Sequence, residues 1–319
     1  MICRLPASDL KPRTSGLLFL LLLCASTSAQ RPVFTVAADL VLLNVSVKDS
    51  QGHPVVGLRQ SDFAVLEEGR RRQITYFEEQ NSPLAVVLLM DTSSSMEGKP
   101  LLEAKRAALA FVDQMPAHTE IALVGFNDRV SLLQPFSSMT SDLRAAIGRL
   151  TASGGTALYD AVKKGFEVMQ EARHRRHIVV LFSDGQDQDS RASFAQIERL
   201  VQGSDSVIFS VGEYSEIDRD LFMTGEKYYK EPAFEVNLNP VWILRELADL
   251  TGGSAFFPQP GGSLQEIFGR IARELRLQYL LGYVPAPPSA QPEFRKVEVQ
   301  VENPGSDYTV RTRRGYRYY

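Results

Sequence analysis

Cysteine is almost absent from this sequence, with two residues in 319, Cys3 and Cys24, both inside an N-terminal segment that reads as a leader. Without that segment the chain has no thiol, which excludes cysteine nucleophiles, cysteine-ligated zinc and disulfide staples. Histidine is nearly as sparse. His53, His118, His174 and His177 are scattered, so no histidine metal cage is expected, and the basic stretch from Arg173 to His177 is read as a helix end that complements the dipole. There is no Gly-x-Ser-x-Gly elbow, no Walker phosphate loop and no dinucleotide glycine pattern, so serine hydrolase, nucleotide hydrolase and dehydrogenase chemistry all lack their machinery. No apolar run after the leader approaches the roughly 20 residues that span a bilayer. Charge of one sign is also scarce. The formal net charge is −3, and removing Arg4, Lys11, Arg13 and Asp9 with the leader takes away a net +2 and leaves −5, which gives nucleic acid no reason to bind.

What is present begins with the leader itself. Arg4, Lys11 and Arg13 precede a short apolar block from Leu17 to Leu23 and then the small residues Ala25 to Ala29, an order that predicts a signal peptide over residues 1–29 and cleavage after Ala29. The expected destination is secreted, periplasmic or cell-envelope. A retained anchor is the alternative, and Leu23 is too bulky before Cys24 for a lipoprotein site. With 44% hydrophobic and 23% charged residues the chain has ordinary globular composition, so a core can replace the missing disulfides.

Along the chain the texture changes twice. Val41, Leu43, Val45 and Val47 alternate with Leu42, Asn44, Ser46 and Lys48, the period of a half-buried strand, and short strands at Asp62 to Leu66 and Gln73 to Phe77 flank the turn Glu67-Glu68-Gly69-Arg70. From Leu84 apolar strands alternate with amphipathic helices. Strands are predicted at Ala85 to Met90, Ile121 to Phe126, Val130 to Leu133, Ile178 to Phe182, Ser206 to Val211 and Ala255 to Phe257. Helices are predicted at Pro100 to Gln114, Ser141 to Leu150, Thr156 to Glu171, Ser190 to Val201, Val241 to Leu250 and Leu264 to Leu275. Beyond Arg276 period two returns, in Tyr279, Leu281 and Tyr283 and in Val297, Val299 and Val301. Each β flank is too small to bury a core alone. The reading is therefore an α/β fold, a doubly wound, mostly parallel sheet at 83–276 inserted in a small antiparallel β domain made from 30–82 and 277–319.

Asp91 and Asp184 each follow the C-terminal end of an apolar strand, the edge where open α/β sheets bind ligands. Asp91-Thr92-Ser93-Ser94-Ser95 offers a carboxylate and two hydroxyls on alternate residues, Gly154-Gly155-Thr156 adds a hydroxyl, and Ser183-Asp184-Gly185 adds the second carboxylate. All the donors are oxygen, which suits a hard cation such as Mg²⁺, with Mn²⁺ or Ca²⁺ as substitutes. Neutral hydroxyls leave most of the ion's charge unmatched, so an acidic side chain of a partner can complete its shell.

In these residues the sequence resembles the von Willebrand factor A family and its metal-ion-dependent adhesion site, Asp-x-Ser-x-Ser followed by a distant threonine and a distant aspartate. Asp91, Ser93, Ser95, Thr156 and Asp184 match in order, and the resemblance spans about Leu84 to Leu275. It implies that Ser93, Ser95 and Thr156 touch the metal directly while Asp91 and Asp184 act largely through water. It also implies a protein ligand presenting an acidic residue, and a binding role rather than an enzyme or a small-molecule site. The flanks resemble von Willebrand factor A-related proteins of Acidobacteria, through Asp62-Phe63 and the terminal Arg314-Gly315-Tyr316. Rival readings are a Mg²⁺-dependent phosphohydrolase with Asp91 as nucleophile, for which Ser93 stands where a second acid is needed, and a metal-free structural component of the envelope.

Three further signals are open. The stretch between Gly212 and Pro240 is long for a connection and carries Tyr214, Phe222, Tyr228, Tyr229 and Phe234, which either face a partner beside the metal or pack as a cover. Asp187 and Asp189 are read as solvated residues opening a helix at Ser190, with tuning of the metal's field as the alternative. Arg311, Arg313, Arg314 and Arg317 with the terminal tyrosines are read as an exposed edge strand.

Overall fold

The computed structural model describes residues 40–79, 82–214, 216–230, 236–259, 262–287, 291–302 and 307–318. The leader and Phe234 lie outside the described residues. The first strands among the described residues are β1 (Val41–Lys48), β2 (Phe63–Glu67), β3 (Arg70–Arg72) and β4 (Ile74–Glu78). The α/β region follows as β5 (Ala85–Asp91), α1 (Lys99–Asp113), β6 (Glu120–Phe126), β7 (Val130–Ser137), α2 (Thr140–Gly148), α3 (Leu158–Met169) and β8 (His177–Ser183). It continues with α4 (Phe194–Gln202), β9 (Val207–Gly212), α5 (Glu216–Phe222), β10 (Tyr228–Lys230), β11 (Val236–Leu238), α6 (Pro240–Thr251), β12 (Ala255–Phe256) and α7 (Leu264–Arg276). The last strands are β13 (Tyr279–Tyr283), β14 (Glu293–Val301), β15 (Thr309–Arg311) and β16 (Gly315–Tyr318).

The central sheet runs β12-β9-β8-β5-β6-β7, parallel throughout except for β7 against β6. Its apolar strands are apolar on both faces because both faces are covered. Along β5, Val86, Leu88 and Met90 enter one core with α1, α2 and α7, while Ala85, Val87 and Leu89 enter the other with α3, α4 and α6. The helix signals are local and clear at α6. Asn239 accepts from the N–H groups of Val241 (2.9 Å) and Trp242 (3.3 Å), Pro240 opens the first turn, and Gly252 ends the helix at a φ of 78°.

The two β flanks pair across the α/β region. β1 lies antiparallel to β13, from Val41 opposite Tyr283 to Val45 opposite Tyr279, and β2 lies antiparallel to β14, from Phe63 opposite Val301 to Glu67 opposite Val297. The sheets β15-β1-β13-β4 and β16-β14-β2-β3 enclose a core of Leu43, Val45, Val47, Phe63, Val65, Tyr279, Leu281, Tyr283, Val297 and Val299.

Several sequence expectations are corrected here. β1 is not half-buried, because Asn44 and Ser46 on its other face are buried too, Ser46 accepting from the Gln278 amide at 3.3 Å. The turn at Glu68-Gly69 joins β2 to the short β3, and β4 crosses to the other sheet to pair with β13. Arg173 to His177 is not a helix end, since α3 stops at Met169; Arg176 is fully buried and donates to the carbonyl of Leu275 (2.7 Å), and His177 Nδ1 meets Asp205 (2.9 Å). Arg313 is not an edge arginine. It is buried and donates to the carbonyls of Gly315 (2.7 Å), Gln202 (2.7 Å) and Ser204, joining the sandwich to the loop after α4.

Candidate metal centre

β5 and β8 are adjacent and parallel, with Met90 opposite Phe182, so Asp91 and the Ser183-Asp184 pair leave the same edge of the sheet side by side. The Asp91 side chain is fully buried there. One of its oxygens accepts the N–H of Ser93 (2.8 Å), a local bond that turns the chain out of the strand, and the other accepts the hydroxyl of Ser183 (2.6 Å). Thr92 anchors the turn by donating its hydroxyl to the carbonyl of Phe126 at 2.9 Å.

From that anchor the hydroxyls of Ser93 and Ser95 lie 3.0 Å apart, and Ser95 donates to Asp184 Oδ2 at 2.8 Å. Asp184 Oδ1 accepts the N–H of Gln186 at 3.0 Å. Gly185 is required for the chain to turn away, because its φ is +78° and a Cβ would lie 2.8 Å from the carbonyl of Pro240. Asp91, Ser93, Ser95 and Asp184 are thus brought into one hydrogen-bonded cluster. Thr156 sits just before α3 rather than within it, and its loop is stitched to the first one by main-chain bonds from Ser94 to Gly154 (3.0 Å) and from Ser153 to Thr92 (2.8 Å).

Burial pushes the Asp91 carboxyl up to about 6, and the negative charge of Asp184 adds to the shift against the bonds from Ser183 and Ser93. A positive ion at this edge would act on both causes. The donor set fits a hard divalent cation: every candidate atom is oxygen, three of five are neutral hydroxyls, and the two carboxylates converge without a histidine or cysteine. Among the described residues no three His, Cys, Asp or Glu side chains gather as a metal cluster, so the hydroxyls would have to share the work.

Two features escaped sequence reasoning. Ser183 holds Asp91 in place and accepts from the N–H of Gly185 (3.0 Å); a hydroxyl directly before Asp184 at a strand end was the available signal. Asp187 and Asp189 do not open a helix at Ser190. α4 starts at Phe194, capped by Ser193 with Gln196, and the two acids bond instead to the main chain of Tyr159 (3.2 Å) and Thr156 (2.9 Å). The aromatics after β9 are mostly an internal cluster. Tyr214, Phe222, Tyr229 and Phe257 pack ring to ring at 4.9–6.1 Å, and Phe222 is too buried to face a partner, while Tyr228 is 51% exposed.

The family model for the von Willebrand factor type A domain matches residues 86–186, which run from β5 through the Asp184 loop. Over that span the α/β region is similar to a von Willebrand factor type A domain. An uncharacterized protein of Synechocystis is 31% identical over 110 residues, 33% of this chain and 26% of that protein. Inter-alpha-trypsin inhibitor heavy chain H1 of Sus scrofa is 24% identical over 215 residues, 54% of this chain and 24% of the relative. The chain therefore spans about a quarter of the length of these two curated relatives. Among solved structures, a von Willebrand factor type A protein from Catenulispora acidiphila is 14% identical with a TM-score of 0.49, covering 87% of this chain and 73% of that one. Among the described residues no helix is long and apolar enough to cross a membrane.

Proposed function

We propose that the protein is an exported binding module that holds one divalent cation, Mg²⁺ first among the candidates, at Asp91, Ser93, Ser95, Thr156 and Asp184, and uses it to grip an acidic group on a protein partner. The observation that carries this reading is the Ser95 hydroxyl, which touches Ser93 on one side and Asp184, 89 residues later, on the other and so joins the loops after two strands into one oxygen-lined cluster. Von Willebrand factor type A domains mediate protein–protein interactions. When bound, the cation would supply a concentrated positive charge at the sheet edge. The chain's own residues set its coordination: hydroxyls as direct donors, and carboxylates acting largely through water, leave a position and residual charge for a visiting carboxylate.

Binding rather than turnover is part of the proposal. Ser93 stands where covalent phosphoryl chemistry on Asp91 would need a second acid to move a proton to the leaving group. Calorimetry of the wild-type chain and of Asp91→Ala with Mg²⁺ and Mn²⁺ tests the metal, and partner retention from an envelope extract with and without chelator tests the grip. Heat of binding in the wild type alone, with partners lost in both the variant and the chelated sample, is the expected result. No heat in the wild type sinks the reading.

A further inference from the structure

We propose that Asp189 is a positioning residue of this centre, fixing the loop that carries Thr156 and so setting the cation affinity without donating to the ion. The inference rests on the cation reading above and concerns a residue outside its donor set.

The observation is a reciprocal set of bonds between the second and third loops. Asp189 Oδ2 accepts the N–H of Thr156 at 2.9 Å, and in return the Thr156 carbonyl accepts the N–H groups of Gln188 (2.9 Å) and Asp189 (3.0 Å). One turn further on, Asp160 accepts from the N–H groups of Arg191 and Ala192, each at 3.0 Å, which closes the far end of the clasp. Asp187 has the ordinary duty of a helix cap, since it accepts from Tyr159 in the first turn of α3. Asp189 does not. α3 starts at Leu158 with Ala157 as its cap, so the N–H of Thr156 is not one of the helix's unpaired donors, and a carboxylate there holds the loop itself.

The two glycines before Thr156 leave room for two carboxylates, Gly155 for that of Asp189 and Gly154 for that of Asp128. A Cβ on Gly155 would stand 1.9 Å from Asp189 Oδ2, and a Cβ on Gly154 would stand 2.3 Å from Asp128 Oδ1. Side chains at either position would push a carboxylate away. Groups that orient a metal's direct donors from behind typically change its affinity 10- to 100-fold when removed.

The test uses the full chain and two readouts. Asp189→Ala is expected to weaken Mg²⁺ binding by about 10- to 100-fold in calorimetry. Gly155→Ala, which displaces the same carboxylate from the other side, is expected to do the same, while Asp189→Asn, whose amide oxygen still accepts, stays close to wild type. In metal-free protein the Thr156 amide should exchange faster in Asp189→Ala, with the β5 and β8 amides unchanged. Wild-type affinity in Asp189→Ala beside a clear loss in Thr156→Ala overturns this proposal alone, as does an unchanged Thr156 exchange rate. Absence of Mg²⁺ heat in the wild type overturns the cation reading and the proposal with it.

Discussion

Two of the buried carboxylates, Glu67 and Asp91, are hidden from solvent to nearly the same degree and are treated in opposite ways. Glu67, at the end of β2 in the sandwich, is 1% exposed, and burial alone would raise its pKa. The Tyr316 hydroxyl (2.6 Å), the Ala286 N–H (3.1 Å) and the Arg72 guanidinium (2.5 Å) outweigh burial and hold the carboxyl below its ordinary range, with Arg295 3.6 Å away. Asp91, equally buried at the end of β5, has hydrogen bonds but a second carboxylate as its charged neighbour, and is pushed up to about 6. Glu67 has its countercharge built into the chain and serves the fold. Asp91 gains from a charge that the chain does not bring, which is how we read a site for a cation.

The sharpest way to break this contrast is Glu67→Ala, which leaves the Arg72 guanidinium and the Tyr316 hydroxyl without their carboxylate and Arg295 with Glu293 alone, and is expected to cost about 3–5 kcal/mol in urea denaturation. A change under about 1 kcal/mol would mean that the network is ornamental. Because the folded carboxyl lies below its ordinary value, its contribution is present above the unfolded pKa and lost as pH falls through the folded one. The gap between wild type and Glu67→Gln should therefore narrow in acid. At the other carboxylate, Mg²⁺ at 100 times its Kd should stabilise the wild type by about 2.7 kcal/mol and Asp91→Ala not at all, with chelator reversing the gain in a thermal melt. A melt indifferent to Mg²⁺ would erase the distinction between the two acids.

A third measurement reverses the sign. In metal-free protein Asp91→Asn should be more stable than wild type at pH 8, by on the order of 1–3 kcal/mol, because it removes a buried charge facing Asp184. The folded pKa is raised, so the folded wild type binds a proton more tightly than the unfolded chain. Its stability recovers as pH falls from about 6 toward 3.8, and the variant's advantage fades over that window. A variant less stable than wild type at pH 8 would show that the bonds from Ser93 and Ser183 outweigh the repulsion.

The difference between the two regions also explains what could be read in advance. β5, β8 and β9 were legible because strands covered on both faces are runs of apolar residues, and the grouping of Asp91, Ser93, Ser95 and Asp184 because they stand at or just past two strand ends. The sandwich was legible only as texture. Arg70–Arg72 has no apolar alternation to mark it as a strand, and what seats it is Glu67, whose other partners Ala286, Arg295 and Tyr316 come from more than two hundred residues later in the chain. Arg176 and Arg313 looked like surface charge for the same reason. Their acceptors are main-chain carbonyls, which every sequence has everywhere and no sequence places. Asp187 and Asp189 were read toward the next helix, when Asp187 also reaches back to the first turn of α3 and Asp189 to the loop before it.

The smallest expected effect tests the aromatic stretch after β9, where burial again separates two roles. Phe222 is 3% exposed, its carbonyl accepts the Asn239 amide that also caps α6, and its ring meets Tyr229 at 4.9 Å, so it belongs to the domain's own packing. Tyr228 is bound to β11 by its main chain, opposite Leu238, while its ring stands half in solvent with the Lys227 ammonium 5.6 Å from its centre. Tyr228→Ala should leave the melting temperature unchanged, within about 0.5 kcal/mol, and leave Mg²⁺ affinity as it is. A loss of metal-dependent partner retention without any loss of stability would then assign this ring to recognition. A clear drop in stability would instead make the whole stretch a cover, with Tyr228 as much a part of it as Phe222.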